Sequence, residues 1–137
     1  MCLAGASALQ QVLLEHPKAK LKVLAVWEPV LGLDIAPPSS SNLARLSDPR
    51  VEQFWDGGRL LSQRLLAIAH AHPERLGPNQ RAQLAKARTV WDFIALFPSN
   101  AHWAEEPPFP EFSGAPVVDV MDEVKSRISA AETGLKK

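Results

Sequence analysis

Residues 21–29 read LKVLAVWEP, and this stretch decides the fold class of the chain. From Val23 to Trp27 the sequence is apolar, without the alternation of a half-exposed strand. A short apolar run of this kind is typical of a strand that is buried on both faces, as strands of parallel sheets are. Glu28 and Pro29 end the predicted strand, because proline has no N–H to contribute to a ladder.

Helical and strand patterns alternate on either side of this run. Apolar spacing and capping residues predict helices over Leu3–Glu15, from Ser39, Ser40 or Ser41 through Leu46, from about Gly57 to His70 behind the cap Asp56, over Asn79–Arg88, and from Pro116 to about Ala131. Strand propensity predicts strands over Val51–Trp55 and Thr89–Phe97. This order of elements predicts an α/β fold with a partly parallel sheet.

The segment 98–116 contains five prolines. Because proline has no N–H to donate to the hydrogen bonds between strands, we expect this segment to form an edge strand at most. The helix that follows carries apolar residues at positions i, i+4, i+7 and i+11, which is the spacing of one buried helical face. These residues are Val117, Met121, Val124 and Ile128.

Composition limits the classes of function. The chain has 137 residues, which is the length of a single domain. Its 15 basic and 15 acidic residues give no net charge, which argues against nucleic acid or an acidic membrane surface as a partner. No apolar run approaches the roughly 20 residues of a membrane span. The single cysteine excludes a disulfide framework, and the four histidines do not form a metal-binding pattern.

The order of elements and several local strings make the chain similar to the thioredoxin-like superfamily, and most of all to uncharacterised bacterial thioredoxin-like proteins. The strings that carry the resemblance are KLKVLAVWEPVLGLD at 20–34, DPRVEQFWD at 48–56, TVWDFIALFP at 89–98 and PPFPEF at 107–112. The resemblance implies one thioredoxin-like domain over residues 1–137, a three-layer sandwich around a mixed sheet. It also implies that the first strand of that fold is missing.

Cys2 is the reason for expecting a missing strand. In the resembled fold a first strand leads into a C-x-x-C motif, and a helix begins at the second cysteine. Cys2 directly precedes the predicted helix, so the resemblance places it second, and the first cysteine would lie two residues before Met1. We expect either a variant without the first strand or a reading frame that begins upstream, with cysteine or a UGA-encoded selenocysteine at the first position. If the reading frame begins upstream, the added segment could contain an export signal. If there is no export signal, the composition implies a cytoplasmic protein.

The missing strand has a physical consequence. In the resembled fold it lies between the strands predicted at 21–27 and 89–97. Without it, two apolar edges would keep unpaired N–H and C=O groups, which is costly in a buried sheet. We therefore expect either that these two strands pair directly or that two chains share strands in a homodimer.

Cys2 is also the candidate nucleophile. A thiol at a helix N-terminus faces the positive end of the helix dipole, which favours the thiolate. A lone thiol forms a mixed disulfide with a protein disulfide or a low-molecular-weight thiol, but it cannot close an internal disulfide. We expect weak or no activity as a dithiol oxidoreductase, and no cofactor. The alternative is a free cysteine at the chain terminus.

Three further candidates lie after the first predicted strand. Ligands gather at the carboxyl ends of parallel strands, and the Cys2 helix begins at the same edge. Trp27, Glu28 and Asp34 are therefore candidates to line a substrate site with Cys2. The alternative is a capping carboxylate and a core tryptophan beside a tight turn.

The start of the strand predicted at 89–97 supplies the last candidates. The resembled family carries a cis-proline there, and in this chain Thr89 and Val90 occupy its place. Asp92 lies between two aromatic residues, where a carboxylate is costly unless it is paired. We expect it to bond a backbone N–H or an arginine such as Arg88, in a structural role.

Two hypotheses of function follow. The first is a thioredoxin-like domain whose ancestral activity is thiol or selenol redox chemistry. The second is a non-catalytic interaction module on the same fold, with the proline-rich segment 98–116 and an exposed strand edge as its contact surface. A fold by itself does not decide between them.

Overall fold

A computed structural model describes residues 3–32, 35–84 and 87–134 of the chain. The elements are α1 (Leu3–Glu15), β1 (Val23–Trp27), α2 (Ser40–Leu43), β2 (Val51–Trp55), α3 (Leu60–Ala71), α4 (Pro78–Leu84), β3 (Ile94–Leu96), β4 (Phe112–Gly114) and α5 (Met121–Gly134). Short 3₁₀ turns lie at Pro73–Arg75 and Val117–Val120. The fold is therefore mixed α/β, as the alternation of patterns predicts.

The first half of the chain follows the predicted bounds closely. The helix at Leu3–Glu15 and the strand at Val51–Trp55 are confirmed, and the apolar run Val23–Trp27 is a strand. Ser39 caps α2, because its side chain accepts a hydrogen bond of 3.3 Å from the N–H of Asn42. Local polar chemistry and apolar spacing are sufficient to place these elements.

β1 and β2 form a parallel pair in which Val23 lies opposite Val51 and Trp27 lies opposite Trp55. The prediction that β1 is buried on both faces is wrong. Trp27 is buried, but Leu24 is 61% exposed. Leu24 lies on the opposite face of the strand from Trp27. The apolar run resembles that of a central strand, whereas one face of this pair is partly open to solvent.

The strand predicted at 89–97 is much shorter in the structure. β3 contains three residues, Ile94–Leu96, and pairs antiparallel with β4. Asp92 has a φ of 48°, the left-handed region, which ends an extended strand on that side. β4 lies inside the proline-rich segment, after Pro110, as the expectation of an edge strand there requires.

The described strands form two separate two-stranded sheets, β1–β2 and β3–β4, rather than one. The prediction that the two inner strands pair directly is therefore wrong: within the described residues, β1 pairs with β2 alone and β3 with β4 alone. Sharing of strands between two chains stays a prediction.

α5 buries the face that its spacing predicts. Val117, Met121, Val124 and Ile128 are all in the core, and Val124 is completely buried. They pack with Val12 of α1, and the apolar side chains of β3 and β4 lie against the same cluster. The predicted helix differs at its start, where Val117–Val120 form a 3₁₀ turn, and at its end, which lies at Gly134 rather than about Ala131.

Arg50, the residue directly before β2, binds the end of α1 through hydrogen bonds. Its guanidinium donates to the carbonyl oxygens of Leu13 and His16 at 2.7 Å, and of Ala19 at 3.2 Å. These carbonyls lie at and beyond the last turn of α1, and each also accepts a backbone N–H of the chain that follows. The same guanidinium binds Asp48 through two hydrogen bonds of 2.8 Å, which hold the pKa of that carboxyl down at about 2.

No helix in the described ranges is long and apolar enough to cross a membrane.

Candidate functional site

Ser62 of α3 joins two of the predicted site residues. Its backbone N–H donates to Oε1 of Glu28 at 3.1 Å, and its hydroxyl donates to Oε2 of the same carboxylate. The hydroxyl also accepts a hydrogen bond of 3.0 Å from the N–H of Val90. Ser62 is only 1% exposed. The carboxyl end of β1 and the segment that leads into β3 therefore meet at one buried hydroxyl.

The remaining candidate of β1, Trp27, turns away from this point. Its indole Nε1 donates to Oε1 of Gln53 at 2.9 Å. Gln53 in turn donates to the carbonyl oxygens of Leu43 and Leu46, after α2. Trp27 is therefore an anchored core residue, which agrees with the alternative stated for it above. Of Trp27 and Glu28, only Glu28 lies at the candidate site.

The start of α3 is fixed by Asp56, which accepts a hydrogen bond of 2.8 Å from the N–H of Leu61. Burial acts to raise the pKa of Asp56, but hydrogen bonds from the backbone N–H groups that it caps outweigh burial and lower the pKa. Asp56 bonds the first turn of α3 as the sequence predicts, but the N-cap position itself is taken by Arg59, and α3 begins at Leu60 rather than near Gly57. Asp56 thus binds the backbone directly next to Ser62.

An apolar cavity of about 320 Å³ lies beside the Ser62 contact. It is lined by residues 89–93, by Ala115 and Pro116, and by Leu84 and Ala87. Thr89 and Val90, two predicted site residues, are in its wall. Trp91, at its rim, is 56% exposed. The peptide bond between Ala115 and Pro116 is cis.

The first turn of α1 approaches this cavity at Asp92. A Cβ atom built on Gly5 would lie 2.9 Å from Oδ1 of Asp92 and 2.9 Å from Cβ of Val117. Oδ1 of Asp92 is buried, and no described residue donates a hydrogen bond to it. The expected pairing of Asp92 with Arg88 or a backbone N–H is thus not seen at this oxygen. A carboxylate of the cavity wall faces the beginning of a helix instead.

Two of the predicted site residues, Cys2 and Asp34, lie outside the described residues. In the sequence Cys2 stands three positions before Gly5. Within the ranges that the structure describes, no three side chains of the His, Cys, Asp and Glu types come close enough together to bind a metal ion.

Sequence reasoning did not identify Ser62 as a site residue. Leu61, Leu65 and Ile68 have the apolar spacing of an inner face of α3, whereas the buried residues are Ser62, Leu66, Ile68 and Ala69. Ile68 belongs to both sets, but Ser62 and Leu66 lie one position after Leu61 and Leu65, so the buried face is shifted toward the next residue. A serine between apolar residues of an amphipathic helix is the only signal that could have indicated it.

Comparisons with family models, with curated proteins and with solved structures returned no match to this chain.

Proposed function

We propose that the chain is a thioredoxin-like domain that carries out thiol chemistry through Cys2. One observation carries the proposal: the first turn of α1 lies against Asp92 and Val117, beside the cavity that Thr89 and Val90 line. Cys2 directly precedes this turn in the sequence. The proposed substrate is a disulfide bound in this cavity, because the single cysteine of the sequence stands three positions before Gly5.

The arrangement of strands supports the choice of fold. A parallel pair, β1–β2, and an antiparallel pair, β3–β4, lie beside a shared helix, since Ser62 of α3 bonds Glu28 after β1 and Val90 before β3. A mixed sheet without its central strand would be divided in this way. The remaining helix, α5, follows β4 and covers the second pair, as the final helix of the resembled fold would.

The proposed reaction is thiol–disulfide exchange. The thiolate of Cys2 attacks one sulfur of a disulfide R–S–S–R′, which forms a Cys2–S–S–R bond and releases R′–S⁻ with the bonding electron pair; water protonates it. The thiolate of a low-molecular-weight thiol such as glutathione then attacks the R sulfur of the mixed disulfide, which forms a disulfide between R and glutathione and releases the Cys2 thiolate. The second thiol must come from another molecule, because the chain has one cysteine. Turnover is therefore slow and depends on that thiol.

The test is the rate at which the protein forms a mixed disulfide with oxidised glutathione, followed by mass spectrometry. We expect the folded chain to react at least tenfold faster than the same chain in urea, and Cys2→Ser to abolish the product. Equal rates for the folded and unfolded chains would contradict the proposal, because the thiol would then gain nothing from the fold.

A second measurement uses insulin reduction in the presence of glutathione. The chain as it stands should show little turnover above the background. A chain extended before Met1 by Cys-Gly, which completes a C-x-x-C motif, should reduce insulin at a rate that Cys2→Ser removes. Absence of turnover in the extended chain would favour a binding role.

The second candidate function is a non-catalytic interaction module. It is favoured by the aromatic surface of the proline-rich segment, where Trp103 is 53% exposed, and by Trp91 nearby in the sequence, which is 56% exposed. Exposed aromatic side chains are enriched where proteins bind other proteins. In this role the chain would bind an extended polypeptide whether or not Cys2 is present.

A further inference from the structure

We infer that the unpaired edges of β1 and β3 accept one extended, uncharged strand of another polypeptide. This inference deepens the second candidate function and does not depend on the reactivity of Cys2. It names the class of partner, a single β-strand, and the backbone groups that bind it.

The hydrogen bonds of β1 define its unpaired edge. The N–H of Val23 donates to the carbonyl of Arg50 at 3.0 Å, and the carbonyl of Trp27 accepts from the N–H of Asp56 at 2.9 Å. In a parallel pair, alternate residues of a strand direct both backbone groups to the same neighbour. Residues 23, 25 and 27 therefore face β2. The N–H and C=O groups of Leu24 and Val26 point to the other edge, where no described strand lies.

The same reasoning defines the edge of β3. The carbonyl of Leu96 accepts a hydrogen bond of 2.9 Å from the N–H of Glu111, on the side of β4. By alternation, the backbone groups of Ala95 point away from β4. Each of the two sheets thus ends in a strand whose outer groups have no strand partner in the described chain.

Two helices hold the two sheets next to each other. On one side lies helix α1. Oε1 of its Gln10 accepts hydrogen bonds from the N–H groups of Ser47 and Asp48, just before β2. Val12 of the same helix belongs to the core cluster against which β3 packs. On the other side Ser62 of α3 binds Glu28 after β1 and Val90 before β3. The sheets are therefore neighbours that share helices without sharing hydrogen bonds.

The Ser62 contact also limits what can enter between them. One glutamate side chain and one hydroxyl connect the backbone after β1 to the backbone before β3. A strand with a neighbour on each side needs about 9.5 Å between those neighbours, which is two strand spacings. That connection leaves room for one strand and not for a two-stranded unit, so we exclude the β1–β2 pair of a second copy as the occupant.

The edges indicate the chemistry of the strand. Leu24, Val26 and Ala95 are apolar, and Leu24 is 61% exposed. β1 itself carries no charged residue, and the charges of Lys22, just before it, and Glu52, on β2, neutralise each other in an ion pair of 2.8 Å. A charged residue in the middle of the bound strand would have no partner. The occupant is an extended segment of about five uncharged residues without proline, and this mode of binding is β-augmentation.

The experiment uses the full chain with Cys2→Ser and a capped peptide, Lys-Val-Thr-Val-Thr-Val-Lys. Two versions of the peptide carry N-methyl groups on alternate residues, one on the odd and one on the even amides. A strand between two neighbours uses both sets of amides, so either version should bind at least tenfold more weakly than the unmodified peptide. Amide exchange at Leu24, Val26 and Ala95 should slow at least tenfold when the unmodified peptide is bound.

Three results would overturn the inference. The first is no binding of the unmodified peptide. The second is loss of binding with only one N-methylated version, because that indicates a single edge. The third is protection of the outer edges of β2 or β4 in place of Leu24 and Ala95. As a matched pair of variants, Leu24→Lys should weaken binding at least fivefold, whereas Leu31→Lys, at a residue that is 58% exposed outside the strands, should not.

Discussion

The hydroxyl of Ser62 accepts a hydrogen bond of 3.0 Å from the backbone N–H of Val90, while it donates to the carboxylate of Glu28. These residues come from three different parts of the chain, α3, the segment before β3 and the end of β1. Each of these parts contributes a buried or half-buried polar group that needs a hydrogen-bond partner. One small side chain thus links the end of β1 to the segment that leads into β3.

The first prediction concerns this contact. Ser62→Ala removes the donor to Glu28 and the acceptor of Val90 and leaves both groups without that partner. We expect the free energy of unfolding to fall by about 2–3 kcal/mol, since unsatisfied buried polar groups cost about 1–3 kcal/mol each. Urea denaturation measures the change. Ser129→Ala is the control, because Ser129 is only half-buried and its hydroxyl bonds the carbonyl of Lys125 within α5; equal effects of the two variants would show that the Ser62 contact adds nothing.

The second prediction concerns acid stability. The folded state lowers the pKa of Asp48 from 3.8 to about 2, because Arg50 hydrogen-bonds its carboxylate. A carboxyl whose pKa is lowered on folding stabilises the protein above its unfolded pKa, and the stabilisation is lost as the pH falls through the folded pKa. The contribution of Asp48 to the free energy of unfolding should therefore be lost as the pH decreases from about 4 to about 2.

Asp48→Asn tests that assignment. At pH 7 we expect a loss on the order of 2 kcal/mol, since hydrogen bonds to charged groups contribute about 1.5–3 kcal/mol. The difference from the parent should shrink toward pH 2, where the parent carboxyl is also protonated. Glu123→Gln is the control, because Glu123 pairs with Arg127 on the exposed surface of α5. A difference that stays constant between pH 7 and pH 2 would contradict the role given to Asp48.

The third prediction concerns close packing at glycine. A Cβ on Gly114 would lie 2.7 Å from Cγ1 of Val120, so β4 fits against the 3₁₀ turn only without a side chain. Gly114→Ala should lower the free energy of unfolding by about 1–3 kcal/mol, the usual cost of overpacking. Gly32→Ala is the matched control, because nothing lies within 4 Å of its Cβ position. Thermal unfolding should separate the two variants clearly; similar midpoints would mean that the turn moves away at little cost.

The fourth prediction tests the exposure of β1. Leu24→Thr should change the stability by less than about 0.5 kcal/mol, because Leu24 is 61% exposed and threonine suits a strand. Val124→Thr places a hydroxyl at a completely buried position and should cost about 1–3 kcal/mol. Chemical denaturation gives both values. A large loss for Leu24→Thr would mean that the open face of β1 is covered in solution.

Sequence patterns predicted the elements that are defined locally. The helix at Leu3–Glu15, the strand at Val51–Trp55 and the buried face of α5 depend on residues close together in the chain, so apolar spacing was sufficient to predict them. The strand predicted over 89–97 failed because its propensity is local, whereas Val90 bonds Ser62, 28 residues away, and Asp92 adopts a left-handed φ. Tertiary contacts outweigh a strand propensity of at most about 1 kcal/mol.

The sequence by itself therefore determined the α/β class, the order of elements and the residues that face the α5 core, because these follow from periodicity and capping within short segments. Only the tertiary structure decided that the strands form two sheets, that Leu24 is exposed, and that Ser62 joins Glu28 to Val90. Strand pairing depends on backbone hydrogen bonds between distant segments, and every residue except proline carries the same N–H and C=O groups. Nothing in a side-chain pattern specifies which of those groups find a partner.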